Sequence, residues 1–143
     1  MTLVAVLAVL LLAVPPAEIA PSIVQAPDSP VRIDRAKVLN VGSDEPAVLL
    51  YSATNTTEQD LEHFTVIAYI FDAERTLKAR QVAPARHMLE KRTTKYSTMV
   101  LDGRPLTPTD RVVIGVNQAQ RLGSDAWWHA ELENAAKEVV KGK

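Results

Sequence analysis

Three features of the sequence predict a mainly β protein, an antiparallel two-sheet sandwich of six to seven strands with a C-terminal α-helix. Short β-rich runs recur between clusters of turn-forming residues, and one of these runs is apolar on both of its faces. No segment of helical period separates one run from the next, which excludes βαβ units. A single amphipathic stretch near the C-terminus supplies the helix.

In chain order, Leu3 to Val14 is an unbroken apolar run without a charge, closed by Pro15-Pro16. It is shorter than an ordinary membrane span of about 20 residues and suits the apolar centre of a secretory signal. Only Met1 and Thr2 precede it, so the usual positive flank is missing; an uncleaved N-terminal anchor is the alternative. Small residues at Ala17, Ala20 and Ala26 offer cleavage positions, each beside a proline. Pro15, Pro16, Pro21, Pro27 and Pro30 mark residues 15–30 as a linker, because proline lacks the amide that helices and ladders need.

From Val31 the rhythm is that of strands. Val31 and Ile33 alternate with Arg32 and Asp34, and the run continues to Val41 before the turn Gly42-Ser43-Asp44-Glu45-Pro46. Ala47 to Ala53 is an interior strand closed by the polar loop Thr54 to Asp60. Phe64 to Phe71 is the strongest: Phe64, Val66, Ala68 and Ile70 line one face and Ile67, Tyr69 and Phe71 the other, as in a central strand covered on both sides. Thr76 to Ala83 is weaker and is interrupted by Pro84; Thr93 to Leu101 and Arg111 to Val116 complete the set. Ser124-Asp125 reads as a helix start, and Trp128, Leu132, Ala135 and Val139 recur at helical spacing, giving a helix over Ser124 to Lys141. The expected organisation is a signal peptide or anchor with its Pro-rich linker over residues 1–26, the β domain over 27–122 and the amphipathic helix over 123–143.

Thr54-Asn55-Thr56 ends one strand in an Asn-containing turn, and Ile70-Phe71-Asp72 ends the strong strand in an aromatic and an acid. In these elements the chain resembles the immunoglobulin-like sandwiches of the FxLYD type, small β modules of bacterial and archaeal envelope proteins. It departs from their pattern at Ala68, at Glu74-Arg75 and at Lys91-Arg92. The resemblance covers about residues 31 to 117 and implies an immunoglobulin-like antiparallel β-sandwich used for binding or scaffolding, with no catalytic residues to carry over.

The composition excludes several classes. There are no cysteines, hence no disulfides, thiolate metal sites or cysteine nucleophiles. The net charge is -1 and no basic stripe is visible, against nucleic-acid binding. Lys91-Arg92 with Lys95 is a solvated strand face. No G-x-S-x-G elbow, phosphate loop or dinucleotide fingerprint occurs, and Asp72 and Glu74 lie in a turn, where short acids serve the backbone. His63, His87 and His129 sit in different elements without metal-pair spacing, and His87-Met88 with Met99 is only a hint of copper. Neither a metal site nor a cofactor is therefore expected. Asn55-Thr56-Thr57 has the form of a glycosylation acceptor but reads first as a polar turn.

Trp127-Trp128 remains as the candidate partner-binding feature. On a helix the two rings point about 100° apart, so Trp128 joins the buried stripe and Trp127 stands at its edge or in solvent. The function expected is that of an exported, secreted or periplasmic, non-catalytic module that binds protein or self-associates in a bacterial envelope. A small-ligand carrier or sensor in the same compartment is the alternative. Membrane contact is expected only through a retained N-terminal anchor.

Overall fold

The computed structural model describes residues 17–102 and 105–142. The apolar run Leu3 to Val14, Pro15-Pro16 and the Gly103-Arg104 part of the loop after Leu101 lie outside the described residues. The described chain runs β1 (Ala17–Ile19), β2 (Ser22–Ile23), β3 (Val31–Val41), β4 (Ala47–Asn55), β5 (Leu61–Phe71), β6 (Leu77–Val82), β7 (Arg86–Leu89), β8 (Thr94–Leu101), β9 (Arg111–Arg121), β10 (Trp127–His129) and α1 (Glu133–Lys141).

The seven strands β3 to β9 form the mainly β sandwich that the alternation predicts. One sheet has the order β1-β3-β4-β8; the second has the order β10-β9-β5-β6, with β7 pairing the first half of β5 and β2 lying parallel to β9. Pro84 falls in the gap between β6 and β7, so a single edge alongside β5 is made in two pieces.

β5 is central, with β9 on one side and β6 and β7 on the other. Its faces divide as the sequence pattern requires. Phe64, Val66, Ala68 and Ile70 enter the core between the sheets, packing with Val38, Leu49, Leu101 and Ile114. Ile67, Tyr69 and Phe71 enter a second core with Val24, Val113, Leu132, Ala136 and Val140. The molecule therefore has three layers: two sheets, and a cover of α1 and the segment around Val24 on the outside of the second sheet. Ile67→Ala and Ile70→Ala should each cost about 2–5 kcal/mol by denaturant melts, since both side chains are buried on opposite faces of one strand. Losses below about 1 kcal/mol at both would contradict this packing.

Two segments differ from the sequence expectation. Residues expected to be a linker form β1 and β2, and Val24 is buried, its amide donating to the Ile114 carbonyl at 2.9 Å. The prolines at 21 and 27 flank the paired residues and do not interrupt them, so the ladder tolerates them. Cleavage after Ala26 would strip this cover from the domain.

The helix expected over Ser124 to Lys141 begins only at Glu133. The Ser124 hydroxyl accepts the Ala126 amide at 3.2 Å and so serves a turn, which Gly123 makes with a positive φ of 77°. Trp127 to His129 then add a strand to the open edge of β9. The buried helical face is Leu132, Ala136 and Val140; Ala135 is exposed and Val139 only half-buried.

The exposed edge of the first sheet is closed without a strand. The Gln81 side-chain amide donates to the Val100 carbonyl at 2.7 Å and accepts the Asp102 amide at 3.0 Å, standing in for a neighbouring backbone. Arg86 donates to the Thr98 carbonyl. Filling these outward groups protects β8 from pairing with another chain.

Candidate functional site

The cover does not extend over the whole outer face of the second sheet. Beyond it, register places four side chains in one row across the strands. His87 on β7 lies opposite His63 on β5, His63 opposite Gln120 on β9, and Gln120 opposite Trp127 on β10. A second row brings Thr65, Gln118 and His129 together. Residues two apart on a strand share a face, which puts His129 on the same surface as Trp127. All three histidines thus meet on one sheet face, although they are far apart in the chain.

The first row is held in place by a chain of contacts. The Gln120 side-chain amide donates to the Ser124 carbonyl at 2.8 Å, which turns its oxygen towards His63 Nδ1 at 3.0 Å. Nδ1 is therefore the N–H donor in that bond, and in the neutral ring this tautomer leaves the lone pair on Nε2. On one side of His63 the Trp127 ring stacks at 5.7 Å between centroids and 16° between planes. On the other, His87 meets it edge-to-face at 4.5 Å. In the second row Gln118 Nε2 lies 3.3 Å from His129 Nδ1, and Thr65 donates to Asn117 Oδ1 at 2.6 Å.

The two tryptophans separate as alternation on a strand demands. Trp128 points inward, packs half-buried against the inter-sheet core and donates its indole N–H to Asp28 at 3.1 Å. Trp127 points outward and is 36% exposed. Both line an open groove of about 270 Å³ together with Asp28, Pro30, Arg121 and Ser124.

The other sequence candidates serve the fold. Asp72 accepts the Thr76 amide at 2.9 Å in the β5–β6 turn. Outside those candidates, buried Asp110 pairs with Lys78 at 3.0 Å and accepts the Thr107 amide at 2.9 Å. Met99 is buried between the sheets while His87 faces outward, so the His87, Met88 and Met99 trio is not assembled. Asn55 is fully buried, with its amide nitrogen donating to the carbonyls of Gln59 and Leu89 at 2.8 and 3.0 Å. Burial, then the carboxylates of Glu133 and Glu131, push the Tyr69 phenol above its ordinary value, so it is a neutral hydroxyl under the helix.

Gln118 and Gln120 escaped the sequence reading. β9 was expected to end at Val116, but it runs on to Arg121, and their spacing of two is the signal that brings both amides to one face. The chemistry of this face is an aromatic surface with fixed amide and imidazole groups, suited to contact and hydrogen bonding. No helix among the described residues is long and apolar enough to cross a membrane. No protein-family model matches the chain, and no similar protein is found among curated proteins or among solved structures.

Proposed function

We propose that this chain is an exported, non-catalytic β-sandwich module that binds a protein partner in a bacterial envelope, with the Trp127 face as its contact surface. The observation that carries the reading is Trp127 itself: a large exposed ring held on a strand, stacked on His63, at the rim of a groove. Rigid aromatic anchors beside a pocket lose little conformational entropy on binding and dominate many protein interfaces. Export rests on the Leu3 to Val14 run. An export route that keeps this fold intact cuts ahead of Ala17 or leaves the segment as an anchor. The carrier alternative is not favoured, because the space between the sheets is occupied by core side chains such as Phe64, Leu49 and Ile114.

Separate substitution of the two tryptophans tests the proposal. Trp128→Ala should lower stability by about 2–3 kcal/mol, as expected for a half-buried indole packed on the core. Trp127→Ala should change it by less than about 1 kcal/mol. Crosslinking in the native envelope should then give wild-type adducts that Trp127→Ala loses while melting normally. Identical adducts from both proteins would remove Trp127 from the interface.

A further inference from the structure

We propose that His63 and His87 form a chelating site for one divalent transition-metal ion of the zinc, nickel or copper class. This goes beyond the partner-binding reading and does not depend on it. The two rings project from directly opposed positions of paired strands, so the backbone holds their Cα atoms side by side. Two imidazoles sharing one ion at metal–N bonds of about 2.0–2.1 Å stand with ring centres roughly 4.5 Å apart at a right-angled coordination and roughly 5.2 Å apart at a tetrahedral one. The observed separation is 4.5 Å, with the planes inclined at 62°.

The nitrogen that would ligate is prepared. The Ser124 carbonyl orients Gln120, Gln120 Oε1 accepts the hydrogen bond from His63 Nδ1–H, and the neutral ring presents its Nε2 lone pair. That is the outer-shell arrangement by which metal-binding histidines are held in one tautomer. Trp127 packs against the same ring and limits its rotation. His87 is exposed, so it can turn to share the ion. Among the described residues no group of three or more His, Asp or Glu side chains could hold a metal. The site is therefore a two-imidazole chelate whose remaining positions belong to water or to a donor from a bound molecule. Neutral imidazole without thiolate suits zinc, nickel and copper(II) and not calcium or magnesium.

The test is titration of the tag-free full chain with zinc, nickel and copper(II) salts, read by calorimetry and by tryptophan fluorescence. One equivalent should bind, with paramagnetic copper quenching the nearby indole. His63→Gln and His87→Gln should each weaken binding at least tenfold, and His129→Gln by less than twofold. Gln120→Leu, a change at a positioning residue, should weaken it about 10–100-fold. In the unsubstituted protein, imidazole nitrogen NMR should show the zinc-induced shift at His63 Nε2 and not at Nδ1, a readout that no folding defect can imitate. Absence of saturable binding at millimolar metal, or unchanged affinity in the His63→Gln/His87→Gln double variant, would overturn the site.

Discussion

Gly115→Val is expected to destabilise the protein by about 3 kcal/mol or more, roughly 10 °C in Tm. A Cβ at this position would lie 2.5 Å from Leu132 Cδ1, 2.7 Å from the Val24 carbonyl oxygen and 3.2 Å from Val24 Cγ2. The leucine methyl can swing away. The carbonyl cannot, because Val24 is tied to Ile114 and the preceding β2 is paired with β9. Even Gly115→Ala should therefore loosen the cover, and the larger branched side chain should lift it. Both ends of the described chain are seated on this one glycine, so helix and N-terminal segment should lose amide-exchange protection together. Deletion after Gly123 removes β10 and α1 and should bare the same apolar surface of Ile67, Tyr69, Phe71 and Val113 to a hydrophobic dye. A Gly115→Val protein melting within about 2 °C of wild type would show that the cover contributes little.

That arrangement explains which parts of the fold were legible. β5 was, because eight residues apolar on both faces admit one answer, a central strand with layers on both sides. β2 and β10 were not. Strands of two and three residues have no period, and what makes them strands is the free edge or face of β9, a tertiary circumstance. The stretch from Ser124 to Lys141 carried a helical spacing by coincidence in its first half, where Trp128 is in fact an inward residue of a strand. The site failed for a related reason. His63 and His87 become neighbours only through the β5–β7 register, and 24 positions of sequence give no hint of it. Trp127 was singled out correctly as the more exposed ring, but its neighbours were not foreseeable.

Asn55→Ala is expected to cost about 3 kcal/mol or more, a loss comparable to truncating a large core side chain. Asn55 is fully buried and uses every part of its amide. Its nitrogen donates to the Gln59 and Leu89 carbonyls, and its oxygen accepts from the Thr57 amide at 2.9 Å and the Thr57 hydroxyl at 2.8 Å. These bonds join the end of β4 in the first sheet to the end of β7 in the second, and they shape the loop that leads into β5. Alanine takes this donor from the buried Leu89 carbonyl and the acceptor from the Thr57 amide, at about 1–3 kcal/mol for each group that water cannot reach. The Gln59 carbonyl keeps the Thr57 hydroxyl at 3.0 Å. Asn55→Asp keeps the acceptor and the shape but cannot donate while ionised, and it sets a carboxylate against two carbonyl oxygens. It should be at least as damaging as alanine, which a purely steric role for Asn55 would not produce. The nitrogen that a glycan would occupy is the one that ties the sheets together, so the Asn55-Thr56-Thr57 triplet is closed to glycosylation in the folded domain. Urea melts of the two variants decide the matter: losses below about 1 kcal/mol in both would mean that solvent reaches this corner and satisfies the orphaned groups.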